Sequence, residues 1–459
     1  MTDIDIESEE GAQQKADQAQ SDAESFAVSE VESHRENETH DTAQPPESHD
    51  NEVHERDFVD EGEAAGAAPV QSVNGEDGDV EVSTGAKSVI TDPTEEEPPV
   101  GERGDLWYSL AVGGVLRWEF LAGNTFRSGI AVSDDPFPNG AVYAGASDDN
   151  LYAIDALTGR ELWSFSTFGS VQSDVAISDG IVYAGNRNDT LFGVDASDGT
   201  EVWSNQIASD VFQSGLAVSD GIVYAVSDDD NLYAVDASDG TEVWTFDSGE
   251  TIRSGLEVVD GVVYFGNSRE NLFAVDASDG TEVWQNSFGF GDAIRSDIVV
   301  SDGVVYFGSG AELFAADASD GEELWSFSGD GSFNAGISVS DGIVYAANLE
   351  DTLYAVDASD GTEVWSFDGG NSFDSGVEVS DGIVYAGTQG GVFYAVDASD
   401  GTEVWSFEGD DDFESGVAVA DGIVYAGGDD QHLYSLSAKD GSVFNPPRLS
   451  DGDSWIYPT

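Results

Sequence analysis

Three arginines, Arg127, Arg253 and Arg295, hold the same place in a segment that recurs along the chain, one residue before a serine. The whole set at that place is Arg127, Gln172, Gln213, Arg253, Arg295, Asn334, Asp374 and Glu414, each polar in an otherwise apolar run. A guanidinium offers a planar fork of donors that matches a carboxylate or phosphate. A ring of these positions is therefore the candidate binding site, suited to an anionic group or an acidic peptide. Its acids fall last, at Asp374 and Glu414, so the ring is polarised. Arg187 and Arg269, in loops that also vary, are expected on the same side. Arginines among carboxylates serve equally well as counter-charges, and the sequence leaves both roles open.

Other chemistry is sparse. Asp148-Asp149, Asp228–Asp230, Asp410–Asp412 and Asp429-Asp430 invite calcium. Calcium needs six to eight oxygens converging on one point, which runs of adjacent acids in a solvated loop do not supply. The recurring Asp-Ala-Ser-Asp-Gly phrase lacks the spacing and final Glu of a calcium-binding loop and reads as a turn. Four of the five histidines, His34, His40, His49 and His54, follow no metal-ligand spacing, and His432 stands alone beyond them. No Ser-His-Asp set and no phosphate-cradling glycine loop is present. With zero cysteines, disulfides, thiolate metal sites, cysteine nucleophiles and a lipidated cysteine are excluded. No catalytic residue, metal site or cofactor is expected, calcium and quinone included.

The charge is extreme: 93 acidic residues against 14 Lys and Arg, for a net charge of −79. The excess is global, with 30 acids and 5 bases in residues 1–104 and 63 and 9 in 105–459. Self-repulsion on this scale opposes a compact state in dilute buffer. Molar salt shortens the screening length to about 3 Å, so a halophilic protein is expected. Nucleic acid is not a partner, since binding it requires Lys and Arg to displace phosphate counterions. No run approaches the roughly 20 apolar residues that span a bilayer. The start, MTDIDIESEE, lacks the basic and apolar regions of an export signal. The expectation is a cytoplasmic monomer without membrane insertion.

The elements that would position these groups follow from an internal repeat. Trp118, Trp163, Trp203, Trp244, Trp284, Trp325, Trp365 and Trp405 recur at intervals of 45, 40, 41, 40, 41, 40 and 40 residues. A fixed period of that length marks an array of one supersecondary unit. Within each unit, β-branched and aromatic runs alternate with Asp-Gly turns, the pattern of consecutive antiparallel strands. Blade two reads as strand A over 172–178, B over 181–185, C over 191–195 and D over 201–204. The fold class is all-β: an eight-bladed β-propeller of four-stranded antiparallel blades over 105–445. Trp118 precedes the first strand A, whereas Asn445 and Pro446-Pro447 stand where the last Trp is due. The N-terminal strand 115–120 should therefore close blade eight, with 106–112 as an added edge or cap. Residues 1–104 lack Trp and Tyr and are too polar to offset chain entropy, so they read as a disordered acidic tail. Residues 446–459 form a C-terminal extension.

The phrase Leu-Tyr-Ala-Val-Asp-Ala-Ser-Asp-Gly-Thr-Glu-Val-Trp resembles the tryptophan-docking motif of pyrroloquinoline-quinone-type propeller repeats of haloarchaeal type. Blade one comes closest, from Leu151 through Asp155 and Gly159 to Trp163. In that family the Trp wedges against the neighbouring blade while the Asp and Gly organise the turn. The family contains quinone-dependent alcohol dehydrogenases, which carry an adjacent-cysteine disulfide, calcium and an aspartate base. It also contains non-enzymatic barrel-assembly scaffolds. This chain has no cysteine and nearly minimal blades, so the resemblance implies the scaffold type, with a quinone- or metal-dependent oxidoreductase as the alternative. The A–B and C–D turns barely change between repeats, whereas the D–A and B–C loops change in nearly every blade. One face is thus generic, and a protein or peptide partner is expected on the other.

Overall fold

The computed structural model describes residues 106–107, 116–289 and 292–438. The regions 1–104 and 446–459 lie outside the described residues. Eight antiparallel sheets follow one another along the chain, seven of four strands and one of five. The Asp-Gly pairs build the A–B hairpins as expected: Asp179 and Gly180 take φ of 50° and 75°. Two successive left-handed residues make the turn whose twist matches paired strands.

In blade two strands B and C are buried except at their ends, while strand D buries only one side chain of its first four, the Trp. In blade two the Trp203 indole N–H donates to the Ala237 carbonyl of blade three at 2.8 Å. All eight Trp make this bond, from Trp118 to Ala156 at 3.0 Å round to Trp405 to Ala438 at 3.4 Å. The turn glycine is obligatory there. Gly199 has φ 71°, and a Cβ would sit 2.8 Å from the Trp163 indole. Each blade thus places its largest side chain on its neighbour's turn, which supplies packing that a lone sheet lacks.

The ring closes as the tryptophan count required. The closing strand Leu116–Leu121 pairs antiparallel with strand C of blade eight, His432–Ser437, in the register Leu116↔Leu436 and Phe120↔Leu433. Trp118, Phe120, Phe126, Tyr152 and Tyr425 then bury one cluster spanning blades eight and one. The edge strand Leu106–Trp107 adds outside the closing strand, and 108–115 lie beyond the described residues.

Strand A departs from expectation. In blade two it covers only Val175–Ser178, and it reaches eight residues only in blades one, seven and eight (Phe126–Ser133, Phe373–Ser380, Phe413–Ala420). The polar-Ser-Gly triplet does not pair with strand B through its backbone, and only in blades one, seven and eight does the Phe before it pair again, as Phe126↔Ala146, Phe373↔Thr388 and Phe413↔Gly428, carrying the strand through the triplet.

Candidate partner-binding face and central channel

The triplet is a device for building a channel mouth. In blade one the Ser128 hydroxyl accepts the Gly145 N–H of strand B at 2.7 Å and donates to the Gly129 carbonyl at 2.7 Å. Ser173, Ser254 and Ser415 accept the equivalent N–H in their blades at 2.8, 2.9 and 2.6 Å. With a side chain standing in for the ladder, the glycine N–H turns to the next blade. Gly129 bonds the Ser173 carbonyl at 3.3 Å and Gly255 that of Ser296 at 3.1 Å, and Gly336 bonds that of Ser375 at 3.2 Å although blade six has Ala335 in place of the serine. Between blades six and seven the innermost strands approach too closely for a side chain: a Cβ on Gly336 would lie 2.2 Å from the Val377 nitrogen. The bulge faces the preceding polar residue toward the variable loops.

The ring residues are tied to those loops. Arg127 donates to Asp429 of blade eight at 2.9 Å and pairs with Glu414 at 2.9 Å. Arg253 grips Asp228 of blade three at 2.6 Å, and Gln213 donates to the same carboxylate at 2.8 Å. Gln389 donates to Asp374 at 2.8 Å, and Gln172 accepts from Arg187 at 3.3 Å. Asn334 is half-buried in the same register. Arg269 pairs instead with Glu250. Two of the three ring arginines are thus counter-charges for carboxylates of this face. Arg187 and Arg295 have no carboxylate partner among the described residues. Loss of water raises the pKa of Asp374 and Glu414, and Arg127 offsets part of the rise.

Four channel carboxylates escaped the sequence reading. Asp174 and Asp297 replace the triplet glycine in blades two and five, and with Glu257 and Glu378 they line the channel wall. Each Asp accepts a backbone N–H of the next blade, Leu216 for Asp174 and Ile337 for Asp297, and Glu257 accepts that of Val300. Asp297 is exposed, but toward a lumen that protein encloses. That enclosure, reinforced by the Asp174 and Glu378 carboxylates, raises its pKa to about 7. The signal was visible as Ser-Asp in place of Ser-Gly at 173–174 and 296–297.

Phe168 was also missed. It lies in the D–A loop between blades one and two, is 80% exposed, and takes φ 57°. Blades three and six put glycines at the matching position, Gly249 and Gly370, with φ of 76° and 72°. A bulky residue there carries strain of about 1–3 kcal/mol. The loop is fixed: Asn186 donates to the Thr167 carbonyl at 2.8 Å, Asn188 to that of Phe168, and Arg187 N–H to that of Ser170 at 2.9 Å.

The acidic runs act as internal acceptors. Asp229 takes the Ser209 N–H at 2.7 Å and the Tyr233 hydroxyl at 2.7 Å, and Asp148 takes the Gly123 N–H at 2.8 Å. No group of three or more His, Asp or Glu among the described residues could hold a metal ion. His432, 3.5 Å from Asp430, stands where blades one and three have Asn150 and Asn231.

This architecture defines an eight-bladed propeller with Trp-docked blades. The family model for outer membrane protein assembly factor BamB matches residues 102–211, 270–372 and 349–455, and the chain belongs to that family. Among solved structures it is similar to BamB from Moraxella catarrhalis, with a TM-score of 0.62 and 15% identity over 71% of this chain and 99% of that one. The computationally designed Ika8 protein gives 0.62 at 21% identity over 69% and 97%. Quinohemoprotein alcohol dehydrogenase from Comamonas testosteroni gives 0.60 at 15% over 71% and 77%. At these identities the likeness shows the fold. No curated protein matches the sequence.

Proposed function

We propose that the chain is a non-enzymatic scaffold that binds a protein or peptide segment through its variable face in concentrated salt. The observation that carries this reading is Phe168, a strained, exposed aromatic at a position where other blades use glycine. Folding gains nothing from such a residue, whereas a rigid exposed aromatic suits the centre of an interface. Arg187 lies in the loop that fixes Phe168, and Arg295 presents a second guanidinium to the same face. The complementary segment carries an apolar side chain beside a carboxylate. Arg127 and Arg253 shape the mouth as counter-charges.

The dehydrogenase among the structural neighbours raises the oxidoreductase reading. Its quinone is a tricarboxylate, and the channel offers it Asp174, Glu257, Asp297 and Glu378. That donor set repels the cofactor, so the residues do not fit it and no redox step is derived.

Panning a random peptide library against the protein in molar KCl tests the scaffold reading. Enrichment of carboxylate-bearing sequences that compete for one site and protect the D–A loop at 167–170 from hydrogen exchange is expected. Peptides that bind but protect only the opposite face would overturn it.

A further inference from the structure

We infer a second binding site, on the face whose turns look generic: a pocket between blades eight and one that receives this chain's own segment 439–459. Blade one and its seam break the repeat in three places. Leu157 replaces the serine found in six other blades, as at Ser197 and Ser278. Arg117 replaces the Val or Leu that precedes every other docking Trp. Residues 134–138 are added before the Asn139-Gly140 turn. All three converge, since Arg117, Asp134, Pro138 and Leu157 line one cavity with Ile423 and Tyr425. Leu157 is 45% exposed there. In a chain of near-copies, three independent departures meeting in one cavity mark a built surface, in which Pro138, Leu157, Ile423 and Tyr425 give an apolar wall and Arg117 shares the lining with Asp134 and Asp421.

The occupant follows from where the chain goes. Strand C of blade eight ends at Ser437, with Leu436 opposite Leu116, the neighbour of Arg117. Paired strands lie about 5 Å apart, so Ala438, the last described residue, lies within roughly 10 Å of Arg117. At up to about 3.3 Å per residue, Phe444 can reach any part of the pocket. The segment has the matching chemistry: Phe444, Leu449, Trp455 and Ile456 for the wall, and Pro446-Pro447, a pair without N–H donors whose carbonyls offer acceptors to Arg117. It is also close to neutral, with three acids and two bases where residues 105–459 carry 63 and 9, so it meets the acidic propeller with little repulsion.

The chain has no cysteine, which makes cross-linking clean. In the full chain, Leu157→Cys combined with Phe444→Cys should form an intramolecular disulfide, read as faster migration on a non-reducing gel. Ser278→Cys with Phe444→Cys should not. Equal cross-linking of both pairs, or none, overturns the proposal, as do concentration-dependent dimers, which would mean a second copy's segment. As an independent check, Leu157→Ser with Arg117→Val restores residues the other blades use and so spares the fold. Trypsin should then cut after Arg448 about tenfold faster, the factor that corresponds to ~1.4 kcal/mol of lost docking. An unchanged cleavage rate would also overturn it.

Discussion

The indole N–H of Trp118 donates to the carbonyl of Ala156 at 3.0 Å, joining the closing strand to the turn of blade one. The Tyr425 hydroxyl of blade eight donates to the same oxygen at 3.3 Å. That one carbonyl is where the ring shuts; the Trp contact repeats at every other blade junction and the Tyr contact at all but that of blades one and two, where the Tyr143 hydroxyl has no partner among the described residues.

Closure gives the first prediction. A chain lacking residues 1–104 should keep the melting temperature of the full protein at matched salt. Removing 1–121 should lower it sharply, and Trp118→Ala should cost about 3–5 kcal/mol, as for other large-to-small core changes. Thermal melts of the three proteins in molar KCl check this, and equal melting temperatures would refute N-terminal closure.

The docking turn gives the second. Gly280 has φ 73°, and a Cβ there would lie 2.8 Å from the Trp244 indole. Gly280→Ala should destabilise by about 2–4 kcal/mol through strain and overpacking. Gly261→Ala, with φ 79° but nothing within 4 Å, should cost less. Chemical denaturation of the pair separates the indole contact from the backbone strain.

Charge gives the third. With a net charge of −79, lowering KCl from molar to about 0.1 M lengthens the screening length to roughly 10 Å. The melting temperature should fall on dilution, and a flat or rising series would contradict the high-salt reading.

The fourth concerns pH. Asp297 has a folded pKa of about 7, above its ordinary value of 3.8, so the native state binds the extra proton between those values. Its contribution to stability therefore falls as pH rises from about 4 to 7. His432 is also raised above 6.5, chiefly by Asp430 against the opposing effect of burial, with Glu119 adding to the rise. Its stabilisation is present below 6.5 and lost as pH rises through the folded value. Both slopes point the same way in different windows. Asp297→Asn should flatten the lower one and His432→Asn, the residue blades one and three use, the upper one, in melts recorded from pH 5 to 8.

Much of this fold was legible because the repeat states it eight times. The Trp register located each strand D, and the missing Trp at Asn445 located the closing strand. The extent of strand A was not legible, because every blade skips the triplet in its ladder and only in blades one, seven and eight does the Phe before it pair with strand B again. The ring residues were legible as one register of the repeat, but their contacts were not. The sequence placed Arg127 and Arg253 on the mouth, yet their carboxylate partners come from loops of the preceding blade, 302 and 25 residues away. Asp174, Asp297 and Phe168 were visible as departures from glycine, but only the φ angles and the channel wall give those departures meaning.

Phe168 provides the most direct test of the account. Phe168→Gly installs the residue that blades three and six use at φ near 70°, so the variant should melt at or above the wild-type temperature. On the same preparation in molar KCl, its Kd for peptides selected on the wild type should rise at least about tenfold, or ~1.4 kcal/mol. Unchanged affinity, or a lower melting temperature with affinity intact, would make Phe168 a structural residue and contradict binding through this face.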